Sequence, residues 1–571
     1  MKKLDRRQFM AVAALASGNA ALANAETVSV KDFGADPTGK ADSTSAIQNA
    51  ISHLVESGAR TLYFPLGTYK LGAPQRIALS LTGYSNFELA GSGSTLLMGT
   101  DALCLELTRC SNVVVSNLTI DWDPLPCTQG VVSGSGSGWF EVKVDSGFPT
   151  PSNVALGAVE SYDRALRNVA RNLIEMGADQ NLQMQPAGDG KIRVRLNRLS
   201  PVPVGTVVVL RFKGNHEAIR ITRSHNVSFT GVKLFSSYSM GYNISYCDNL
   251  AFRQCSIGFK PDSTRLLSTN ADGMHVTNCS GSLAIDRCTF EGMGDDAINI
   301  TASMWRAQRQ ANGEGAVLLS RSGAPIGDDD APKAGDELEI LDPGDLHVRN
   351  RQSSSSSTHT LAGSVAQDSL IDDVSRVPTT KVSGCHFLGN HSRAILAHAN
   401  LEVTDCLFQN ISLAAIMIAP DAHWMEGPTT RNIVIDSNSF TGCHYATADP
   451  EGSVTIDIEQ TYGRRTPVPR ATAQDVHITN NRFDDCYTSA ISCRSIAGLR
   501  ITGNRIGRTW VGGGNHPAIL LGELRNSFIT GNISTASNAI AMQDSDTTDV
   551  SGNQGFSQKI DSNPVAPLSP K

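Results

Sequence analysis

Asn249-Leu-Ala-Phe-Arg-Gln-Cys-Ser-Ile257 and Leu283-Ala-Ile-Asp-Arg-Cys-Thr-Phe290 are two copies of one phrase, and its recurrence decides the fold. Each copy alternates apolar and polar residues, reaches a Cys, Gly or Asn, and resumes on an apolar residue. The phrase also stands at Asn112–Ile120 and Asn226–Leu234, then at Leu401–Phe408, Ile433–Phe440, Val476–Phe483, Leu499–Ile506 and Ser527–Ile533. Matching positions recur at 231 and 255, 385 and 406, 481 and 504, and 532 and 553, a period of 21 to 24 residues. Period-2 alternation puts every second side chain on one face. A short strand cannot bury that face alone, so successive copies must stack into coils. The expected fold is all-β: a right-handed parallel β-helix with one apolar column inside. Asn117, Asn438, Asn481, Asn504, Asn532 and Asn553 are expected at turns, bonding up and down the column.

Two stretches break the rhythm. Residues 121–211 hold Gly/Ser-rich turns and short alternating runs such as Phe140–Val144, Lys191–Leu196 and Val204–Leu210, which predict a small barrel-like β-domain inserted between coils. Residues 307–379 predict a second such insertion, with Gly335–Leu341 and a serine run at Ser353–Ser357 that reads as a loop. At the front, Ser43–Val55 reads as an amphipathic helix capping the stack. The organisation is thus an export segment over 1–25, cap and first coils over 26–120, and the insertion over 121–211. Coils with the candidate chemistry follow over 212–306, then the second insertion over 307–379, C-terminal coils over 380–560 and a tail over 561–571.

Lys2, Lys3, Arg6 and Arg7, the apolar run Phe9–Leu15 and Ala-Asn-Ala at 23–25 follow the order of a cleavable export signal. The adjacent arginines resemble a twin-arginine signal, so a periplasmic or extracellular protein is expected. No later stretch is apolar enough for a membrane span. A formal charge of −7 and a pI near 6.0 exclude the basic face of a nucleic-acid binder. Nothing in these residues sets an oligomeric state. The run Asp328–Asp330 reads as a solvated loop. Twelve cysteines in an exported chain raise the question of disulfides. Cys255, Cys288, Cys385 and Cys406 recur at one point of the phrase, and so read as small buried residues stacked coil upon coil.

The candidate chemistry lies on two successive coils. Asn270-Ala-Asp-Gly273 precedes Gly294-Asp-Asp-Ala297, and Asp272 and Asp296 stand 24 positions, one coil, apart. With strands about 4.8 Å apart, Asp272, Asp295 and Asp296 would share a patch. Repulsion among them keeps one protonated near neutrality, an acid beside a base. Glycoside hydrolysis asks for that pair. Asp295 and Asp296 are consecutive, so they can cooperate only where the backbone bends, for which Gly294 is the candidate.

Asp32–Gly39 and Phe64–Tyr69 are similar to the N-terminal cap of pectin-acting β-helix enzymes. Ile120-Asp-Trp-Asp-Pro-Leu-Pro126 with Thr128-Gln-Gly130, Asn270–His275, Gly294–Asn299, Ser392–Leu396 and Ala414–Ala422 with Trp424 and Glu426 resemble glycoside hydrolase family 110. The resemblance covers roughly residues 27 to 510. It implies a pectin-lyase-like helix interrupted by β-barrels, and exo-acting, metal-independent, inverting α-galactosidase activity with no cofactor, on the end of a carbohydrate chain. Asp272, Asp295 and Asp296 would be the acid/base carboxylates. After the Asp-Asp pair the family pattern has Pro-Ile-Asn-Val-His-Gly, where this chain has Ala297-Ile-Asn-Ile-Thr-Ala302; the missing histidine bears on the choice of sugar.

His275, Asn299, Arg393, His398, Asp421, Trp424 and Glu426 are the candidate sugar contacts. Arg393 could equally make a structural ion pair, His275 bond to backbone, and Trp424 cover the end of the column. Two other functions use the same fold. A polysaccharide lyase needs a Lys or Arg base beside a uronate, commonly with calcium. A non-catalytic glycan-binding protein would show a long aromatic groove, against which aromatic residues at 6% speak.

Overall fold

The computed structural model describes residues 27–560 except 73–75, 153, 178–180, 198–199, 312–314, 356–358, 364, 447–453, 459–460, 463–465, 468–471 and 514–516. The export segment and the tail expected at the two ends lie outside the described residues. Among those described, no helix is long and apolar enough to cross a membrane.

The repeat builds one continuous, mostly parallel sheet wound as a right-handed β-helix. Its register follows the phrase. One interior line runs Tyr242, Met274, Ile298, Ile395, Ile416, Ile456, Ile491, Ile519 and Ile540, each the parallel partner of the next. All nine are buried. The alternate positions, Asn243, His275, Asn299, Leu396, Met417 and Asp457, therefore face outward along the same strands.

Aromatic rings make a second interior line. Phe290, Phe387, Phe408, Phe440 and Phe483 stack at centroid separations of 5.1, 4.8, 4.7 and 4.8 Å, nearly parallel. The spacing is that of the strands, so ring stacking and sheet pairing reinforce each other.

The Cys and Asn positions form a third line. The backbone N–H of Cys288 donates to Sγ of Cys385, that of Cys385 to Sγ of Cys406, and that of Cys406 to Oδ1 of Asn438. Asn438, Asn481, Asn504, Asn532 and Asn553 then pass both backbone and side-chain donors upward, at 2.9 to 3.0 Å. All twelve cysteines are buried and unbridged, as the repeat implied. Asn117 does not join this ladder. It is exposed with φ 51°, a turn residue outside the column.

The cap is the helix Thr44–Ser57, which turns Ile47, Ala50, Ile51 and Leu54 onto the first coil and ends at Gly58 with φ 73°. The first interruption is an antiparallel sheet of eight strands between Cys127 and Phe212, with its own core around Phe140, Val142, Ile192, Val194 and Leu210. The second begins where the strand Ile298–Arg309 leaves the stack and pairs antiparallel with Gly315–Leu319 and Leu370–Asp373. Trp305, Leu318, Leu338, Ile340 and Ile371 fill its core. The run Asp328–Asp330 is not wholly solvated: Asp330 accepts from the Tyr246 hydroxyl at 2.6 Å and Asp329 pairs with Arg223, tying this insertion to the coils.

Candidate active site

Asp272, Asp296 and Arg393 occupy one position on three successive coils. Each lies two residues before a strictly paired interior residue, Met274, Ile298 and Ile395. The ladder continues into the turn: Gly273 N–H donates to the Asp296 carbonyl at 2.8 Å and Ala297 N–H to the Arg393 carbonyl at 2.9 Å. The stack is thus Asp over Asp over Arg, and Asp295 joins it from the residue before Asp296. One carboxylate oxygen from each of Asp272, Asp295 and Asp296 lies within 4.8 Å of the others. Asp272 and Asp296 are buried and Asp295 is exposed.

Gly294 makes this possible by close approach. A Cβ there would meet Nη1 of Arg211 at 2.6 Å and the Asn270 carbonyl at 2.8 Å. Its φ is not in the left-handed region, so the bend expected there is achieved in ordinary backbone conformation.

Charge is distributed unevenly over the trio. Burial pushes the Asp272 carboxyl up to about 7; Asp295 and Asp296 add to the rise, and the 2.8 Å bond with His275 Nδ1 opposes it. Burial raises Asp296 too, against the pull of Arg393, whose backbone N–H and Nε both donate to Asp296 Oδ1 at 3.1 and 2.8 Å. Arg393 itself is held above its usual range: burial disfavours its charge, but Asp296 outweighs it. Burial lowers His275 while its bond with Asp272 more than restores it. The group therefore keeps a proton near neutral pH beside an anion fixed by a guanidinium, which equips it for acid/base work on one substrate.

The oxygens lie closer than the roughly 6.5–9.5 Å carboxyl spacing usual for inverting glycosidases and nearer the roughly 5–5.5 Å of retaining ones. Direct stacking of Asp272 on Asp296 gives this. Oxygens this close can share one water or one proton.

The other expected contacts surround the trio unequally. Asn299 follows His275 in outward register, and its Oδ1 is buried without a partner. Glu426 feels the charge of His275, and burial raises its carboxyl. Asp421 holds the loop: its Oδ1 accepts from His423 and Trp424 N–H, and its backbone pairs with Glu426. Trp424 is 52% exposed, with Arg321 of the second insertion over its ring at 3.8 Å. It does not cover the column. His398 is 1% exposed, neither ring nitrogen has a partner, and burial drives it down to about 3, so it is neutral.

Several residues at the site carried no signal in the sequence. Arg211 and Glu160 come from the first insertion, Asn390 and His391 from the turn before Arg393; Arg211, Asn390 and His391 grip the backbone of the aspartate phrases, and Glu160 pairs with Arg211. Asn270 ties the insertion to the coils by donating to the Pro126 and Phe212 carbonyls. The second acidic group, Glu160, Glu175 and His391, also brings its ligand atoms within 4.8 Å of one another, but Arg211 already neutralises Glu160.

Among solved structures, the Streptococcus pneumoniae surface protein and adhesin PfbA aligns over 94% of this chain and 99% of its own, at 14% identity and TM-score 0.44. A hyperthermoactive exopolygalacturonase from Thermotoga maritima aligns over 94% and 90%, at 13% identity and TM-score 0.40. In sequence, residues 27–103 match the family described as Rhamnogalacturonase A/epimerase, pectate lyase-like. Residues 209–313, which contain all three aspartates, match Glycosyl hydrolases family 28. The chain is 25% identical to Alpha-1,3-galactosidase B of Bacteroides thetaiotaomicron, covering 85% of this chain and 86% of that one. It is 23% identical to Alpha-1,3-galactosidase A of Bacteroides fragilis, covering 85% and 88%. The protein is a pectin-lyase-like right-handed β-helix. It is related to carbohydrate-active enzymes of the glycoside hydrolase family 28 and family 110 type, and is glycosidase-like.

Proposed function

We propose that the protein is an exported, exo-acting glycoside hydrolase that removes terminal α-linked galactose with inversion. The observation that carries the hydrolase reading is the Asp272–Asp296–Arg393 stack with Asp295 beside it. Arg393 holds Asp296 as the anion that orients water, and Asp272 supplies the proton for the leaving oxygen. The clustering of the three carboxylates supports a water held among them, which would attack in a single displacement with inversion. Arg393, the cation a lyase would use as base, is committed to Asp296. Galactose is supported by the two relatives that align over 85% of this chain, both of them α-1,3-galactosidases. Chain-end action is supported by walls on both sides of the trio: the inserted sheet bearing Arg211, and the Asp421–Glu426 loop with Arg321. Action outside the cytoplasm rests on the Arg6-Arg7 signal.

The test is proton magnetic resonance of α-1,3-galactosyl oligosaccharides incubated with the protein. The first sugar expected is β-galactose. First-formed α-galactose would refute inversion, and an unsaturated product from a uronate polysaccharide assayed alongside, with no galactose released, would replace the hydrolase with a lyase.

A further inference from the structure

Both aspartate phrases hang from carbonyls that a single guanidinium ties together. Arg211, in the last strand of the first inserted sheet, Val207–Phe212, donates from Nη1 to the Asn270 carbonyl at 2.7 Å and the Gly294 carbonyl at 2.9 Å. Its Nη2 pairs with Glu160, a wholly buried residue of the strand Leu156–Asp163. Gly294 leaves no atom where this approach passes, as its absent Cβ would stand 2.6 Å from Nη1. His391 Nδ1, itself 3.8 Å from the Glu160 carboxylate, also meets the Gly294 carbonyl at 2.8 Å. Asn390 Nδ2 donates to the carbonyls of Asp295 at 2.8 Å and Arg393 at 2.6 Å.

Two neighbouring carbonyls aimed at one point repel each other, and Nη1 of a guanidinium, with two donors and positive charge, holds both. Resting on the hydrolase reading above, we propose that Arg211, braced by Glu160, is a positioning residue for the trio. It fixes the coil bearing Asp272 against the coil bearing Asp295 and Asp296. The first inserted sheet is thereby part of the catalytic apparatus, where a decorative domain would contribute only surface. The aspartates sit in the turns just before their strands, where the backbone ladder between the two coils thins to Gly294 N–H on the Thr269 carbonyl and Gly273 N–H on the Asp296 carbonyl, and the Asn270 and Gly294 carbonyls are left for Arg211 to hold. A displacement of about 1 Å among reacting groups costs on the order of 100-fold in rate.

The test uses the full-length protein with the double variant Glu160→Gln/Arg211→Met, which removes both buried charges together and leaves neither uncompensated. Its crystal structure should show the Asn270 and Gly294 carbonyls parted and the three aspartate oxygens spread beyond their native 4.8 Å. Its kcat should fall about 100-fold while KM stays near the wild-type value, the signature of lost transition-state geometry with substrate binding retained. Arg211→Lys, which keeps Glu160 paired, is the second variant. One ammonium cannot serve both carbonyls and Glu160 in a planar fork, so its kcat should fall in the same direction but by less. An unmoved trio in the crystal, a wild-type kcat, or a loss confined to KM would overturn the proposal. Wild-type protein that releases no sugar from any glycoside would instead sink the hydrolase reading, and the crystal structure alone would then judge the placement of the trio.

Discussion

Asp296 and Arg393 are 97 positions apart in the chain and one rung apart in the stack, joined by two donors to a single carboxylate oxygen at 3.1 and 2.8 Å. The second insertion departs and returns between them, so the helix resumes with Arg393 placed over the aspartate it left behind.

Arg393→Met should therefore leave Asp296, 1% exposed, without its cation. Breaking a buried pair on one side costs about 3–5 kcal/mol. The variant is expected to unfold at a clearly lower temperature and to lose activity, measured by calorimetry and by galactose release. Wild-type values for both would show that the pair is idle.

The proton held near neutrality sets a pH limb. With the Asp272 carboxyl at about 7, kcat/KM should decline as pH rises through that value and the trio's last proton is lost. The His275 bond opposes the rise of Asp272, so His275→Ala should move the limb to higher pH. A pH–rate series on wild type and variant checks the sign. A limb that moves to lower pH would contradict the assignment.

The β-helix was legible in the sequence because its physics is periodic. A column fed every 21 to 24 residues leaves Phe387 and Phe408, or Asn481 and Asn504, at fixed points of the phrase. The trio was legible because Asp272 and Asp296 are separated by one such coil. Arg393 was placed only a coil or two on, since the insertion between Ile298 and Thr379 hides the rung count. Arg211, Glu160 and Asn390 were illegible for the same reason at greater range. Arg211 and Asn390 reach the backbone of the aspartate phrases across 59 to 95 positions, Glu160 reaches Arg211 across 51, and no local pattern announces it. Asn117 carries the turn signal of the ladder residues but not the burial, which depends on the neighbouring coil.

Stability should also depend on pH away from the site. Asp372 lies in the second insertion, where burial and Glu339 hold its carboxyl at about 7 against 3.8 in the unfolded chain. Its folded form binds the proton more tightly, so this residue's contribution is full below about 4 and is lost as pH rises through about 7. Asp372→Asn, which cannot titrate, should gain in unfolding temperature relative to wild type as pH is raised across that window. A constant difference between the two proteins would contradict the shift.

Twelve buried, unbridged cysteines make a simple prediction in an exported chain. A thiol reagent should label about none of them in the native protein and all twelve in denaturant without reductant. Reductant should leave the unfolding temperature unchanged. Fewer than twelve thiols in denaturant would reveal a disulfide that the stacked column has no place for.

The central claim is that Asp272, Asp295 and Asp296 act together on a glycosidic bond. The most direct measurement is kcat/KM for galactose release by the three single Asp→Asn variants, each shown to unfold near the wild-type temperature. Amide replacement keeps shape and removes the titrating group, and loss of a general acid or base typically costs about 100- to 10,000-fold. Each variant is predicted to fall by at least the lower figure. Near-normal turnover in all three, in a protein whose wild type is active, would contradict the claim and move the chemistry elsewhere on the helix.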